Sequence, residues 1–339
     1  MRRFTAAAAV TLAGALALAA CSAAGTTDDA TSVAIVGYSV LEEANQSVQS
    51  AFAQTDAGAG VTFTESYGAS GDQSRAVQAG QRADEVHLSL EPDVTRLVEA
   101  GLVAPDWKDN ATRGVCTDSV VVFVVRKGNP KNITEWSDLT KPGVQIVTPD
   151  PASSGSAKWN LLAAYGSLIA DGGDDDEARD YAGKFFDNVI ALPASGRQAT
   201  STFTSGKGDV LLSYENEAIL ARQSGAEFDY VVPESSLLIE NSCALLKGHS
   251  PAAGAWLAFQ KSAPGQKLYA ATGYRPLASV ASEVGALTVT GAMDPSAPFP
   301  EVKTLLTIDQ DFGGWDAANK RFFDADDGIL TALQTEAGF

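Results

Sequence analysis

Histidine is almost absent from this chain, with two among 339 residues, His87 and His249. His87 falls in a strand pattern and His249 in a Gly-His-Ser-Pro turn, so neither sits where a general base is expected. Nucleophile patterns are missing as well. Ser154 stands four residues before Lys158, which is not the Ser-x-x-Lys spacing, and no Gly-x-Ser-x-Gly elbow surrounds Ser70. The acidic run 171–177 lacks the ligand order and the twelfth-position Glu of an EF-hand, and reads as a solvated loop ending in a helix cap. No cofactor motif and no metal motif is present. Positive charge is scarce too: 24 basic against 42 acidic residues give a formal net charge of −18. Nucleic acid, which selects basic surfaces, is excluded as a partner. An anionic ligand would be repelled at long range, so local fixed dipoles would have to hold it.

Long apolar runs are limited to residues 6–20, too short for a span of about 20 residues. This stretch follows Arg2-Arg3 and ends in Leu18-Ala19-Ala20-Cys21, the layout of a bacterial lipoprotein signal. Residues 1–20 are therefore expected to be removed, Cys21 to be lipidated, and 21–31 to form a tether of small and polar residues. The folded part would lie outside the cytoplasm, anchored by lipid at the outer face of the cytoplasmic membrane. The two remaining cysteines, Cys116 and Cys243, form an even pair in an oxidising compartment. Each stands at the edge of a β-rich run, 115–125 and 237–246, so a disulfide across neighbouring strands is one outcome, to be decided by Cα separation.

What remains is a well-packed composition, 45% hydrophobic and 19% charged. About 310 residues exceed what one core usually serves, which points to two domains. Strand patterns at 33–37, 61–64, 85–89, 120–125, 144–147, 189–192, 210–213 and 230–232 alternate with helical stretches at 42–54, 72–81, 93–100, 157–169, 177–186 and 215–223. That alternation defines an α/β chain with largely parallel sheets. Beyond residue 246 the pattern turns helical, at 252–261, 264–270 and 311–323, and there is no internal repeat.

Two strand-to-helix turns carry the chemistry. Thr148-Pro149-Asp150-Pro151 leads into Ser153-Ser154-Gly155-Ser156, and Tyr67-Gly68-Ala69 leads into Ser70-Gly71-Asp72. Small residues opening a helix leave outward-pointing N–H groups at the positive end of the helix dipole, a site for a small oxyanion. Either turn alone is equally consistent with ordinary capping; facing each other across a cleft, they would form one site.

Several blocks then carry a resemblance over nearly the whole exported chain. Arg126-Lys127-Gly128-Asn129-Pro130-Lys131, Trp136-Ser137-Asp138-Leu139, Lys141-Pro142-Gly143-Val144, Thr148-Pro149-Asp150-Pro151 and Trp159-Asn160-Leu161-Leu162-Ala163-Ala164 are among them. Gly208-Asp209-Val210-Leu211-Leu212, Glu215-Asn216-Glu217-Ala218, Tyr274-Arg275-Pro276 and Phe312-Gly313-Gly314-Trp315 complete the set. In combination and order these resemble the sulfate-binding proteins of ABC importers. The resemblance implies a two-lobed, type II periplasmic-binding-protein-like fold, each lobe a mostly parallel sheet flanked by helices. The lobes would be 32–115 with 239–304, and 116–238 with 305–339, closing around one dehydrated oxyanion for delivery to an ABC permease. A monomer is expected.

Position by position, the resemblance places backbone donors at Ser39, where the family usually has Asp, and at Gly155, Ser156 and Gly196. Ser70, with Gly71 beside it, is expected to donate through N–H and hydroxyl, and Ser154 matches a further donor. Arg197 corresponds to an adjacent basic position. Tyr214 stands where the family usually has Trp. An indole only donates, whereas a phenol also accepts, and a donor-only pocket is what rejects protonated phosphate in favour of sulfate. Sulfate is therefore the first ligand, with thiosulfate, molybdate and phosphate behind it. An exported ester hydrolase and a structural surface lipoprotein are the readings from other classes; the first lacks a nucleophile, and the second would show no response to oxyanions.

Overall fold

The structure, a computed structural model, describes residues 31–339. Cys21 and the segment 1–30 lie outside the described residues.

Ten strands form one connected sheet: β1 (Ser32–Tyr38), β2 (Thr62–Gly68), β3 (Glu85–Leu88), β4 (Val115–Arg126), β5 (Ile146–Val147), β6 (Val189–Ala191), β7 (Val210–Tyr214), β8 (Phe228–Val231), β9 (Ser235–Leu245) and β10 (Thr304–Leu306). Seven helices alternate with them: α1 (Glu42–Phe52), α2 (Ser70–Gln78), α3 (Glu91–Glu99), α4 (Gly155–Ala170), α5 (Asp175–Asp187), α6 (Gly196–Thr204) and α7 (Glu215–Gln223). Six more follow: α8 (Pro251–Lys261), α9 (Ala263–Ala271), α10 (Ala281–Val284), α11 (Ile308–Asp311), α12 (Trp315–Phe322) and α13 (Ile329–Glu336). No helix among the described residues is long and apolar enough to cross a membrane.

The sheet is mixed rather than mostly parallel, and the cause is the pair of long strands. β1 lies parallel between β2 and β3, and β5 lies parallel between β6 and β7. Between these two triplets run β4 and β9, antiparallel to each other and to their outer neighbours β7 and β3. Each does two jobs along its length. The first half of β4 pairs with β9 and its second half, 121–126, with β7 and β8. The Val-rich sequence of β4 suits burial on both faces, and its residues 120–125 are at most 1% exposed. Two parallel half-sheets are thus stitched by two crossing strands, and the strands β1, β2, β5, β6 and β7 all deliver their C-terminal ends to the helix starts at 39, 70, 155, 196 and 215.

Cys116 and Cys243 form a disulfide, with Cα atoms 5.8 Å apart, in the stretch where β4 and β9 pair. Cys116 occupies the register shift between Val115 and Thr117. Asp174 and Glu177 form a reciprocal capping box at the start of α5, as the acidic run suggested. The helix expected over 311–323 is divided into α11 and α12, because Gly313 and Gly314 adopt φ of 72° and 89° and end the first turn. Residues Val289, Ala292 and Val302 pack with Phe228, Tyr230 and Ile219, so the segment after α10 lies against the β8–α7 side of the molecule.

Glu85 is fully buried in β3 and accepts hydrogen bonds from Trp256 Nε1 and from Gln260 Nε2, the latter at 2.6 Å. Burial outweighs these bonds and raises its carboxyl from 4.5 to about 7. The folded state therefore binds more protons than the unfolded state between pH 4.5 and 7, and stability falls as pH rises through that window. Thermal unfolding followed from pH 5 to pH 8 is expected to show a falling Tm, and Glu85→Gln to flatten the slope. A Tm that rises over this interval would contradict the assignment.

Candidate functional site

The residues singled out from the sequence gather in one closed cleft between the two half-sheets. On one wall, Ser39 opens a short 3-10 turn after β1, and Ser70-Gly71 open α2 after β2. On the other, Ser154 precedes α4, Gly196 opens α6 and Tyr214 precedes α7. Three of these five starts, at Ser39, Ser70 and Gly155, have no side chain capping their N–H groups. α6 is capped by Ser195 Oγ accepting from the Gln198 N–H, and in the first turn of α7 Ser119 Oγ accepts from the Asn216 N–H at 3.3 Å. Uncapped N–H groups in a buried place require another acceptor.

Contacts across the cleft are close. Gly71 N–H donates to the Ser153 carbonyl at 3.1 Å, and Trp159 Nε1 donates to the Ser89 carbonyl at 3.0 Å. A Cβ added to Gly155 would lie 2.5 Å from Ser89 Oγ and 2.9 Å from Leu90. One added to Gly196 would lie 2.8 Å from Ser156 Oγ and 3.2 Å from Val40. Only glycine permits backbone approach at this range. Ser70, Ser89, Ser154, Ser156 and Tyr214 are all buried.

Tyr214 OH lies 2.7 Å from Ser89 Oγ and also bonds Ser156. Burial pushes its hydroxyl well above the ordinary tyrosine range, with the two serine bonds opposing, so it keeps its proton. Ser70 plays a different part from the double donor expected of it. Its hydroxyl donates to Asp93 Oδ2 at 2.6 Å and accepts from the Ser89 N–H at 2.9 Å, which leaves its backbone N–H facing the cleft end of α2. Asp93 is buried, and Arg96 balances it at 3.0 Å. Ser89 and Asp93 were not singled out from the sequence, although Ser89-Leu90-Glu91 is a third strand-to-helix turn of the same kind.

Arg197 is turned away from the gathered donors. Its guanidinium reaches Glu43 at 3.0 Å in one half and Glu217 at 3.3 Å in the other, tying the halves together. The cleft is therefore lined by neutral donors, with its charged side chains paired among themselves. Such an arrangement can strip the water from a compact anion and replace it with oriented N–H and O–H groups.

Two half-sheets joined by crossing strands, with helix N-termini converging between them, make up the fold of a type II periplasmic binding protein. The family model described as "Bacterial extracellular solute-binding protein" matches residues 33–275. A sulfate-binding protein of Synechococcus elongatus is 37% identical, over 95% of this chain and 93% of its own length. A thiosulfate-binding protein of Pseudomonas aeruginosa is 33% identical, over 88% of this chain and 90% of its own. The solved structure of the sulfate-binding protein SubI from Mycobacterium tuberculosis H37Rv superposes with a TM-score of 0.80 at 43% identity, covering 87% of this chain and all of that one. The chain belongs to the bacterial extracellular solute-binding proteins, in the branch that contains the sulfate-binding proteins.

Burial raises the Glu217 carboxyl and Arg197 draws it back down. Arg197→Met is accordingly expected to destabilise the protein by about 1–3 kcal/mol, discounted for the partial exposure of Arg197. The loss should be greater at pH 8, where Glu217 must be charged, than at pH 5. Urea unfolding at the two pH values reads this, and equal losses would show that Glu217 is not the partner concerned.

Proposed function

We propose that the protein is the receptor of an ABC importer, binding sulfate, with thiosulfate next in preference, and delivering it to a membrane permease without transforming it. The observation that carries this is the set of three helix starts without side-chain caps, at Ser39, Ser70 and Gly155, brought together from both halves. On this reading the donors to the anion are the N–H groups at Ser39, Ser70, Gly155, Ser156 and Gly196, with the Ser154 and Tyr214 hydroxyls; Gly71 stands beside them, its N–H held by the Ser153 carbonyl across the cleft. Donors of this kind hold a dianion without a counter-charge, because they are oriented before it arrives and several helix dipoles converge on it. Sequence similarity to sulfate- and thiosulfate-binding proteins over most of the chain supports the same ligand class.

The lobes on this reading are 32–115 with 239–304 and 116–238 with 305–339, hinged on β4 and β9, with residues 287–302 lying against the second lobe. Opening would separate Ser89 from Tyr214 and Gly71 from Ser153. Cys21 would carry the lipid, and 21–31 would tether a monomer at the outer face of the cytoplasmic membrane, after removal of 1–20.

Calorimetric titration of anion-stripped protein with sulfate, thiosulfate, molybdate and phosphate tests the reading. Sulfate binding tighter than phosphate is the expected result; absence of heat from every oxyanion overturns it. Ser154→Ala is expected to weaken sulfate binding by about 1–3 kcal/mol through loss of one donor to a buried charge. Gly155→Val should cost more, since its side chain meets Ser89 and Leu90 on closure. In a separate comparison, Tyr214→Trp removes the acceptor at this position and should raise the sulfate-to-phosphate affinity ratio; an unchanged ratio would place selectivity elsewhere.

A further inference from the structure

Outside the closed cleft, on the far side of Gly71, Ser153 and Gly155, a cavity of about 390 Å³ opens between the two halves. Four cationic side chains line it, against two carboxylates, in a chain whose formal net charge is −18. Arg75 and Arg96 come from α2 and α3 in one half, and Lys158 and Lys320 from α4 and α12 in the other. Two of the four are already engaged with acids: Arg75 with Asp72, and Arg96 with Asp93 at 3.0 Å. The lysines make no such short contact, although Asp93 and Asp324 act on Lys158 and Lys320 at longer range. Among the described residues Lys158 has no ion pair; its ammonium is held by neutral groups, Asn319 Oδ1 at 2.8 Å and the Phe323 ring at 4.8 Å. Lys320 is exposed at the rim and likewise has no ion pair among the described residues.

The location gives this cavity its meaning. Its floor is the backbone of Gly71, Ser153, Ser154 and Gly155, whose inner side faces the cleft, and Arg75 Nη1 would lie 3.3 Å from a Cβ on Gly71. A dianion approaching an acidic protein is repelled until it comes within about a Debye length, roughly 8 Å at physiological salt. A cationic concavity with low-dielectric walls concentrates anions locally and raises the rate of encounter.

We propose that this cavity is a second, transient oxyanion site, an antechamber in which Lys158 and Lys320 capture the dianion before it passes into the cleft. The inference rests on the reading of the cleft as an oxyanion site. The cavity's charge acts on arrival and not on retention: a dianion seated in the cleft is held by N–H groups, and the lysines lie beyond the wall. Desolvation lowers the Lys158 ammonium below the ordinary lysine range, and a visiting anion offsets that cost.

Stopped-flow fluorescence with sulfate, exploiting Trp159 and Trp315 nearby, separates the two rates. At low ionic strength, the double variant Lys158→Gln/Lys320→Gln is expected to associate about tenfold more slowly than wild type, with dissociation changed less than twofold. The exposed single variant Lys320→Gln, which leaves the packing of α4 untouched, should show part of the same loss. At high salt all the variants converge. Removing two distant, paired lysines by Lys184→Gln/Lys303→Gln leaves association unchanged. An association rate unaltered in the double variant, a loss confined to dissociation, or an equal loss in the distant control overturns the antechamber while leaving the cleft intact. A wild-type protein giving neither fluorescence change nor heat with sulfate overturns the cleft reading, and the antechamber with it.

Discussion

An anion can be taken out of water inside an acidic protein only if something replaces its hydration shell, and on the proposed reading that replacement is backbone N–H. A buried cation at the site would need its own compensation whenever the site stood empty, since an unpaired internal charge costs several kcal/mol. Oriented amides carry no such liability. They do demand that helix starts be left uncapped, that their first residues be small, and that several be aimed at one point. Ala69 before α2 and Ser154 before α4, neither of which caps its helix, satisfy the first demand. Gly71, Gly155 and Gly196 satisfy the second. The sheet satisfies the third because its two parallel sets, β1 with β2 and β5 with β6 and β7, run in opposite directions, each delivering C-terminal ends to helix starts that face the other set.

The two long strands follow from the same requirement. A site assembled from two bodies must let them separate and meet again in register, so the covalent connections should be few, well paired and remote from the ligand. β4 and β9 supply this: each belongs to both half-sheets, and the Cys116–Cys243 bridge locks them together at one end of their shared ladder. Charged groups are displaced from the cleft and paired with each other, Arg197 with Glu43 and Glu217, Arg96 with Asp93, Arg275 with Glu215 at 2.7 Å. Pairs that span the halves, such as Arg197 with Glu43, favour the closed arrangement without touching what is enclosed.

Much of this could be read from the residues, and the part that could not has a physical reason. The helix starts at Ser70 and Gly155 are local events, governed by small residues after a strand and before an amphipathic run, and they stand where the pattern put them. Strand direction is not local. β4 looked like any other buried Val-rich strand, and nothing in its composition says that its two halves pair with different neighbours, which is why a parallel sheet was expected and a mixed one found. The division of 311–323 into two helices was visible in Gly313-Gly314, whose positive φ ends α11, but only once a glycine pair is weighed above helical periodicity.

Ser70 and Tyr214 mark the limit of positional reasoning more sharply. Both lie in the cleft, yet the role of a hydroxyl depends on what else it touches, and those partners are distant in the chain. Asp93, 23 residues on from Ser70, takes the proton of its hydroxyl, so the helix start at Ser70 is left to donate through its backbone. Ser89, 125 residues from Tyr214, meets the phenol from the opposite half. A phenol that bonds Ser89 and Ser156 at once has a donor and an acceptor role to assign among them, whereas an indole would have only the first. The choice of Tyr over Trp therefore alters more than reach. It makes the proton arrangement of the closed cleft adjustable, and on the proposed reading discrimination between a fully deprotonated oxyanion and one that still carries a proton would turn on which way that hydroxyl chain points.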